Sequence, residues 1–418
     1  MPTPSLLIVP ARFKTGKLYS QIPTANGDFT VTRNTTATRL NDAGVIESVA
    51  SGIPRLDYSV SGFVTGCPAL LVEPAGTNSI RNNSNTNAVT GTTGTLPTNW
   101  SETSAAGLTR SIVALGTENG VAYLDIRYSG TANGTAATLN FESTTQIVAT
   151  SGQVWTNSAY LKSIAAPNPY ATIRLGMVDR TSGGTYIVAG QSSDLTLTST
   201  LNRFSLTRTL SSGSTVARVQ PNVAFGLVSG TAYNFTVRIG YTQMELGSVA
   251  TSVIPTTAGT GSRSADVISV SGAVSGSIGQ TEGTFYFDFQ ASPSGVSTNW
   301  LNISDGTTNN WLFIGKDGNK CRGYIRASNS VILNQETFVL TGSPIKAALA
   351  YKSGDYAFYI NGNLNASGTT AFTFSAGLSR IHSGGETPSA VNEISRYRAV
   401  ALYTTRLTNA ELATLTTP

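Results

Sequence analysis

The ten residues 232–241, AYNFTVRIGY, alternate between apolar and polar side chains with a period of two. The apolar positions in this stretch are Tyr233, Phe235, Val237, Ile239 and Tyr241. Successive side chains of a β-strand point to opposite faces of the sheet. The alternation therefore predicts a strand with one buried face and one solvated face.

The last third of the chain shows the same period. The stretch TFYFDFQ, residues 284–290, places three phenylalanines on one face and Tyr286 and Asp288 on the other. Further on, Asn361-Gly362 lies between two apolar runs, and both residue types tolerate positive φ. This dipeptide predicts a tight hairpin of two antiparallel strands.

The composition is that of an all-β protein. Charged residues make up 12% of the 418 residues, about half the usual share, and short apolar runs are separated by turn-rich spacers. One short helix is predicted near the C-terminus, where Thr408 and Glu411 have the spacing of a capping box. We predict an all-β fold: an extended N-terminal anchor segment followed by two antiparallel β-sandwich domains.

Two polar stretches without apolar periodicity suggest the domain boundaries. Residues 82–99 and 256–265 are rich in Gly, Thr, Ser and Asn and are interpreted as linkers or long loops. The predicted divisions are an N-terminal anchor at 1–85, a first sandwich at 86–258 and a second sandwich at 259–418.

Charge and hydropathy exclude several classes of partner. The net charge of +5 arises from scattered residues without a basic run, so no nucleic-acid partner is expected. No stretch reaches the roughly eighteen apolar residues of a membrane span, and the N-terminus lacks the basic leader of a signal peptide. Cys67 and Cys321 lie far apart in the sequence and are expected to be free thiols, which fits assembly in a reducing cytoplasm.

Residues 32–58 concentrate charge in a segment with little apolar periodicity. Its ions include Arg33, Arg39, Glu47, Arg55 and Asp57. Because about 85 residues with few strands would bury little surface alone, we predict that these side chains dock the segment on another subunit or protein. Two alternatives remain open: the ions solvate a loop, or they pair within the chain and hold the segment against the next domain.

Catalytic motifs are sparse, and no enzyme activity is expected. The single histidine, His382, has no nucleophile setting such as GxSxG around it and is interpreted as a loop residue at the sandwich rim. A glycosidase needs two carboxylates across a cleft, whereas Asp288 lacks an acidic partner and is expected to be solvated. No metal site or cofactor is predicted, because the chain has one histidine, two distant cysteines and no Asp-x-Asp-x-Asp series.

Sugar binding without cleavage requires fewer groups than catalysis does: an exposed aromatic ring and a few amide or carboxylate groups. The stretch STNWLNISDGTTNNWLFIGKDG, residues 297–318, offers such groups. The candidate glycan-binding residues are Trp300, Trp311, Asp305, Asn309 and Asn310. The alternative is that both tryptophans belong to the sandwich core, as Trp100 and Trp155 are expected to in the middle domain.

Several blocks in fixed order resemble a modular virion structural protein of tailed bacteriophages and prophages. They are LYSQIP (18–23), GDFTVTRNTTATRLNDAGVIESVASGIPRLDY (27–58), GCPALLVEPAGTNSI (66–80), YTQMELGSVATSVIPT (241–256) and RSADVISV (263–270). Val253 and the stretch AGTNSI depart slightly from the family pattern. The resemblance implies a carbohydrate-binding-module-like jelly roll in the middle of the chain.

The C-terminal region resembles the laminin-G/concanavalin-A-like jelly roll. The similarity covers roughly 280–418 and rests on YINGN (359–363) and LTNAELATL (407–415). Together the two resemblances imply a tail fibre or other appendage, with a capsid head-fibre or decoration protein as the alternative and a polysaccharide-degrading enzyme least favoured. The implied partners are other virion proteins, further copies of the chain in a homotrimer, and host-surface glycan. The expected location is the virion, assembled in the host cytoplasm and released by lysis.

Overall fold

The structure is a computed structural model that describes residues 1–22, 26–59, 67–212, 215–292, 295–385 and 387–418. The chain forms two compact units. Unit 1 combines Met1–Ala75 with Ser264–Pro418, and unit 2 is Gly76–Arg263. Both units are built from antiparallel β-sheets, which confirms the predicted all-β fold class.

The elements follow one another in three groups along the chain. The first segment of unit 1 contains β1 (Leu6–Lys14), β2 (Lys17–Ile22), β3 (Phe29–Thr32), β4 (Ala37–Leu40), β5 (Ile46–Val49), β6 (Leu56–Asp57) and β7 (Ala69–Val72). Unit 2 contains β8 (Gly76–Asn78), β9 (Gly91–Thr92), β10 (Ser101–Ser104), β11 (Thr109–Glu118), β12 (Val121–Thr131), β13 (Ala136–Asn140), β14 (Val154–Asn168), β15 (Thr172–Arg180), β16 (Tyr186–Gln191), β17 (Asn202–Thr209), β18 (Arg218–Gly226), β19 (Ala232–Leu246) and β20 (Gly261–Arg263). The second segment of unit 1 contains β21 (Val267–Ser271), a 3₁₀ helix (Ala273–Ser277), β22 (Glu282–Ala291), β23 (Thr298–Ser304), β24 (Trp311–Asp317), β25 (Lys320–Ala327), β26 (Ser330–Val339), β27 (Pro344–Lys352), β28 (Tyr356–Ile360), β29 (Asn363–Gly368), β30 (Arg380–His382), β31 (Ser395–Tyr403) and helix α1 (Asn409–Thr416).

Unit 1 is a sandwich made from one continuous sheet. In the described residues the strand order is β26-β25-β24-β23-β30-β21-β3-β2-β1-β31-β22-β27-β28-β29, with β7 beside β31. We call β26 to β21 of this order the front half and β31 to β29 the back half. The halves pack face to face: Trp300 of the front half lies 4.3 Å from Phe289 of the back half, ring centre to ring centre. The predicted apolar face of β22 therefore fills the core, with Phe285, Phe287 and Phe289 all fully buried.

Helix α1 covers the other face of the back half. Its apolar side packs on a cluster that includes Tyr286, Ala348 and Leu412. The predicted capping box is confirmed, because the Thr408 side chain accepts from the Glu411 backbone while the Glu411 side chain accepts from the Thr408 backbone. The predicted hairpin is confirmed as well, with φ of 48° at Asn361 and 80° at Gly362 between β28 and β29.

The N-terminal residues do not form a separate anchor, which corrects the prediction for residues 1–85. Strand β1 pairs with β31, β7 also pairs with β31, and β3 pairs with β21. Leu6, Ile8, Phe29 and Val31 enter the same core as the phenylalanines of β22. The physical reason is that these short strands bury their apolar side only by completing the sheet of the C-terminal segment.

Unit 2 is a sandwich of two separate sheets. One has the order β10-β13-β18-β15-β16 and the other β17-β14-β19-β12-β11-β9. Trp100 and Trp155 are 7% and 5% exposed in the core between them, as expected. The predicted alternation in β19 is confirmed through Ile239 and then shifts, because Tyr241 has a φ of 35° where the pairing with β14 slips. Met244, beyond this irregularity, is fully buried.

Parts of the two predicted linkers instead pack on each other within unit 2. The backbone N–H of Thr256 donates to Asn83 Oδ1 at 2.7 Å, and the Asn83 N–H donates to Thr256 Oγ1 at 3.0 Å. Trp100 Nε1 donates to the carbonyl oxygen of Asn82 at 2.8 Å. These polar side chains satisfy buried backbone groups, so the low hydrophobicity that suggested a linker reflects a hydrogen-bonded loop. The boundaries therefore fall at 76 and 263 rather than at 86 and 258.

Two further expectations concern the cysteines and the membrane. Cys67 is exposed, Cys321 is buried, and both thiols are free, as predicted. Burial raises the pKa of the Cys321 thiol well above its usual range. Within the described ranges, the structure contains no helix of the length and apolar character needed to cross a membrane.

Candidate functional site

The front half of unit 1 presents a second face that points away from the core. In β24, Leu312 and Ile314 belong to the buried core cluster. Trp311 and Phe313 alternate with them and therefore lie on the opposite side of the sheet. In β25, Ile325 is in the core, so Tyr324 lies on the same outward side as Phe313.

Strand register arranges the residues of this outer face in three rows. Directly paired residues share a face, so each row follows from the backbone pairing. From β30 across to β26, the first row is Arg380, Ser304, Trp311, Arg326 and Val331; the second is His382, Asn302, Phe313, Tyr324 and Asn334; the third, which begins at β23, is Asn299, Gly315, Arg322 and Glu336. We use the term outer face for these residues.

Three aromatic rings form a contiguous platform in the middle of the outer face. The rings of Phe313 and Tyr324 are stacked at 4.8 Å with an interplanar angle of 15°. The Trp311 ring centre lies 5.2 Å from that of Phe313 and 6.0 Å from that of Tyr324. Phe313 is only 2% exposed, whereas Trp311 and Tyr324 are half-buried. The platform thus presents the surfaces of Trp311 and Tyr324 over a buried Phe313.

Arg322 borders the aromatic platform on its third row. Its guanidinium carbon lies 5.5 Å from the ring centre of Phe313 and 5.2 Å from that of Tyr324. Its Nε donates to Asn334 Oδ1 at 2.9 Å and lies 3.4 Å from Glu336 Oε1. Cation–π attraction and ion pairing therefore hold this arginine beside the rings. Aromatic surface, amide and charged groups are thereby combined within one sheet face.

Trp300, one of the predicted glycan-binding residues, is in the core. It is fully buried, and its Nε1 donates to Glu393 Oε1 at 3.3 Å. A β-bulge between Asn299 and Leu301 in the pairing of β23 with β24 turns its ring toward Phe289. Trp300 therefore cannot stack on a sugar, and the core alternative is correct for this residue.

The three polar candidates organise the loop between β23 and β24. Asn310 is fully buried; its Nδ2 donates to Asp305 Oδ2 at 2.7 Å, and its Oδ1 accepts from the Ser328 backbone at 2.9 Å. Asp305 Oδ1 accepts from the Thr307 backbone at 2.7 Å. Asn309 is exposed, and its carbonyl oxygen accepts from the Asn329 backbone at 2.9 Å. Asn310 is thus a loop-stabilising residue rather than a surface contact, whereas Asn309 and Trp311 remain accessible.

Sequence reasoning missed Phe313, Tyr324 and Arg322. The signal was present in KCRGYIRA, residues 320–327, where Cys321 and Ile325 alternate with Arg322 and Tyr324. The alternation identifies two faces but not the neighbouring strand. Only the register of β24 with β25 brings Phe313 and Tyr324 together.

His382 does not lie in a rim loop as expected. It belongs to β30 and is 1% exposed. Its Nε2 lies 3.3 Å from Ser304 Oγ, and its Nδ1 lies 3.3 Å from the carbonyl oxygen of Ser383. Burial, aided by the nearby charge of Arg380, lowers the pKa of His382 and favours the neutral imidazole. Both ring nitrogens have protein partners, which gives this histidine a structural position in the sheet.

Asp288 is buried rather than solvated, which corrects the sequence-based expectation. It is 5% exposed on the outward side of β22, and its Oδ2 lies 3.9 Å from Arg398 Nε. Its Oδ1 has no hydrogen-bond partner among the described residues. Burial raises the pKa of Asp288, and the charges of Arg398 and Lys346 offset only some of this effect. The carboxylate is thus held in an unfavourable environment, with no acidic partner in the part of the chain that the structure describes.

Two of the predicted docking residues form a buried ionic cluster with the second segment of unit 1. Arg55 pairs with Glu73 at 2.6 Å and with Asp266, and Arg33 pairs with Asp266 at 3.0 Å. All four side chains are at most 1% exposed. The docking prediction is therefore wrong for Arg33 and Arg55, because their guanidinium groups cannot reach a partner protein. The alternative of pairing within the chain is correct for these residues.

The remaining docking candidates also pair within unit 1. Asp57 is 2% exposed, and its Oδ2 lies 2.9 Å from Arg396 Nε, so it too cannot meet a partner at the surface. Arg39 Nη2 lies 2.7 Å from Glu47 Oε1, and both side chains are partly exposed. The hydrogen bonds from Asn41 and Arg39 lower the pKa of Glu47. A docking role for Arg39 and Glu47 stays a prediction.

No cluster of three or more His, Cys, Asp or Glu side chains able to hold a metal ion occurs among the described residues. Asp305 and Asp317 instead form local contacts. Asp317 Oδ1 accepts from Ser297 Oγ at 2.6 Å, and this hydrogen bond lowers the pKa of Asp317.

No family model matches the sequence, and no curated protein matches it. Portions of the chain are similar to solved structures. The CBM40 module of the Ruminococcus gnavus IT-sialidase is 18% identical and has a TM-score of 0.30; the match covers 34% of this chain and 85% of that chain. Domain 4 of AbnA, a GH43 extracellular arabinanase from Geobacillus stearothermophilus solved with arabinotriose, is 17% identical with a TM-score of 0.30, over 36% of this chain and 73% of that chain.

The receptor-binding domain of a botulinum neurotoxin C/D mosaic serotype is also similar, with 14% identity and a TM-score of 0.31; the match covers 36% of this chain and 40% of that chain. These identities and TM-scores are too low to transfer a ligand or an activity. The candidate site of this chain is therefore defined by its own residues, the outer face of unit 1.

Proposed function

We propose that the chain is a bacteriophage virion structural protein that binds host-surface glycan through the outer face of unit 1. The observation that carries the glycan component is the aromatic platform, in which Trp311 and Tyr324 present ring surface above a buried Phe313. Rings of this kind combine a large apolar surface with a fixed orientation, which suits stacking on the apolar face of a pyranose.

The polar groups around the platform complement the hydroxyls of a sugar. Arg322 and the exposed Asn334 supply N–H donors, and Glu336 supplies acceptor oxygens. Because ion pairs and cation–π contacts already orient Arg322, little side-chain entropy remains to be lost when a ligand binds. A preorganised surface with both aromatic and polar groups is therefore better suited to bind a sugar than a flat sheet face that carries only charge.

The virion component of the proposal is supported by the ordered sequence blocks, above all residues 27–58, 66–80 and 241–256. We favour a tail fibre or other appendage, with a capsid head fibre or decoration protein as the second candidate. A homotrimer would increase avidity, because several weak sugar sites would be presented together. Assembly in the host cytoplasm and release by lysis complete this proposal.

Binding without cleavage belongs to the same proposal. Two carboxylates, those of Glu336 and Asp317, lie beside Arg322 at 3.4 Å and 3.9 Å. The hydrogen bond from Ser297 and the charge of Arg322 lower the pKa of Asp317, whereas a general acid must be protonated near neutral pH. Incubation with host polysaccharide, followed by chain-length analysis, should show no shortening; shortened chains would overturn the non-enzymatic assignment.

The glycan proposal is tested by separate Trp311→Ala and Tyr324→Ala substitutions. We expect each to weaken binding to host polysaccharide at least tenfold, which corresponds to about 1.4 kcal/mol. Tyr186→Ala is the matched control, because Tyr186 is 59% exposed on β16 of unit 2. Unchanged melting temperatures would show that the fold is intact. Equal binding by all four proteins, wild type included, would refute a role for the platform.

The virion proposal is tested by immunogold labelling of purified phage particles with antibody against this chain. Label at the tail or its fibres supports the appendage, and label on the capsid supports the head-fibre alternative. Particles that carry no label, and no peptide of this chain by mass spectrometry, would refute both. Native mass spectrometry of the purified protein tests the trimer, and a stable monomer would contradict it.

A further inference from the structure

We propose that the ligand of the outer face is an acidic glycan, whose sugar carboxylate binds in the first row between Arg380 and Arg326 beside Trp311. This inference rests on the proposed glycan-binding function and specifies its ligand class. It depends on the charges of Arg326 and Arg380 and on hydrogen-bond donors in the first row, one of which is the Nε1–H of Trp311 itself.

Two neighbouring N–H donors in the first row have no acceptor. Trp311 and Arg326 are directly paired across β24 and β25 and lie on the same face. Trp311 Nε1 and Arg326 Nε are both buried, and neither has a hydrogen-bond partner among the described residues. A buried donor without an acceptor costs about 1–3 kcal/mol, and a ligand acceptor satisfies such a donor when the side chains that cover it move aside.

The first row also carries positive charge that described carboxylates do not neutralise. Neither Arg326 nor Arg380 has an Asp or Glu oxygen within 4.0 Å in the described regions of the chain, in contrast to Arg322 with Glu336 and Asp317. Arg326 Nη2 donates instead to the amide oxygen of Asn329 at 2.5 Å. These two guanidinium groups therefore favour an anionic ligand over a neutral one.

The acidic residue of the adjoining loop forms its hydrogen bonds inside that loop rather than with either arginine. Asp305 uses Oδ2 to accept from Asn310 at 2.7 Å and Oδ1 to accept from the Thr307 backbone and hydroxyl, both at 2.7 Å. These bonds direct its carboxylate into its own loop. Arg380 packs against Gly306 of that loop, where an added Cβ would lie 2.7 Å from the guanidinium carbon.

The spacing of the first row places one arginine on each side of Trp311. Neighbouring strands lie about 4.8 Å apart, so the row from Arg380 to Arg326 spans three spacings, or about 14 Å. The small Ser304 occupies the position between Arg380 and Trp311. A sugar ring stacked on Trp311 can therefore direct a carboxylate toward Arg326 or Arg380. A carboxylate accepts such charge-assisted bonds in a two-oxygen geometry that a lone hydroxyl does not match.

Loss of a positive charge from the first row should affect the binding of an acidic glycan more than the binding of the same glycan without its carboxylates. Arg326→Gln removes one positive charge and leaves the rings of the platform in place. We expect this variant to weaken binding to an acidic oligosaccharide at least fivefold while binding to its carboxyl-reduced counterpart changes less than twofold. Arg127→Gln is the matched control, because Arg127 is an exposed arginine of a β-strand in unit 2.

The experiment uses the full-length protein and an array of alginate, polygalacturonate and hyaluronan oligosaccharides, each beside its carboxyl-reduced form and beside neutral and sulfated glycans. At least tenfold tighter binding of an acidic form than of its reduced form, weakened by salt and by Arg326→Gln, supports the inference. Equal binding of both forms, or a preference for sulfated glycans only, overturns it and leaves glycan binding intact. Binding to no glycan, neutral or acidic, overturns the proposed function as well.

Discussion

The buried ionic cluster of unit 1 should be essential for holding the N-terminal segment in the sandwich. Arg55→Met removes the guanidinium that faces both Glu73 and Asp266 while keeping much of the apolar stem. Arg55 Nη1 also donates to the carbonyl oxygen of Thr38 at 3.1 Å, so the same substitution removes a contact to β4. The partners lie up to 211 positions apart in sequence, which makes this a long-range connection.

The expected cost follows from the burial of the cluster. The Arg55 side chain is 0% exposed and those of Glu73 and Asp266 are 1% exposed, so water cannot replace the lost guanidinium. Removing one partner of a buried ion pair costs about 3–5 kcal/mol, mainly because the remaining charge stays buried. We therefore expect Arg55→Met to destabilise the packing of this segment by about 4 kcal/mol.

Hydrogen exchange measured by mass spectrometry reports this cost locally. If the free energy of local opening falls by about 4 kcal/mol, amide exchange through that opening becomes about a thousandfold faster. Peptides covering β4 and β5 and residues 264–271 should show it, whereas peptides covering β19 in unit 2 should not. Lys352→Met is the control within unit 1, because the Lys352 side chain is 53% exposed in its pair with Glu282. An exposed pair of this kind contributes about 0–1 kcal/mol.

The double substitution Arg55→Met with Glu73→Gln tests the electrostatic origin of the effect. If an uncompensated buried carboxylate causes the loss, the double variant should lose less than the sum of the two single variants. An increase of less than tenfold in exchange for Arg55→Met would refute the reasoning. Strict additivity would instead assign the effect to packing of the arginine stem.

Three further predictions concern the rest of unit 1. Burial raises the pKa of Asp288 above its unfolded value, so its ionised form opposes folding at neutral pH and Asp288→Asn should raise the melting temperature at pH 7. The gain should shrink as the pH falls through the raised pKa toward the unfolded value of about 3.9, below which both states are protonated; a constant gain would contradict this. Thr408→Ala removes the capping box and should cost about 1 kcal/mol, seen as faster exchange of the amides of α1, and unchanged protection would contradict it. Gly323→Ala should lower the free energy of unfolding, measured by chemical denaturation, by about 1–3 kcal/mol, because the added Cβ would lie 2.7 Å from the Phe358 ring. The control Gly276→Ala places its Cβ in open space and should change this free energy little.

Local patterns predicted the elements of the fold well. The period of two in residues 232–241 and 284–290, the Asn-Gly turn at 361–362 and the capping box at Thr408 all depend on neighbours within a few residues. Each therefore carries its own physical signal in the sequence. The irregularity at Tyr241 was not predictable, because a residue that interrupts strand pairing is still compatible with the apolar alternation on either side.

Long-range pairing explains what the sequence could not predict in the N-terminal segment. Arg33 and Arg55 lie in a polar stretch, and nothing near them in sequence supplies their carboxylate partner Asp266. A short polar segment that completes a distant sheet therefore has the same local composition as an exposed anchor. The loop at Asn83 was misinterpreted for a related reason, because its amide serves the buried backbone of Thr256.

The same limit applies to the candidate site, with a different physical cause. Alternation in β24 places Trp311 and Phe313 on one face and Leu312 and Ile314 on the other, but all four side chains are apolar. Hydrophobicity alone cannot decide which of two apolar faces meets the opposite half of the sandwich. The neighbouring strand decides it: β25 places Arg322 and Tyr324 opposite Gly315 and Phe313, and a guanidinium group is far more costly in the core than at the surface. The charged residues thus determine which aromatic rings stay outside, so the polar partners of the platform are also the reason that the platform faces solvent.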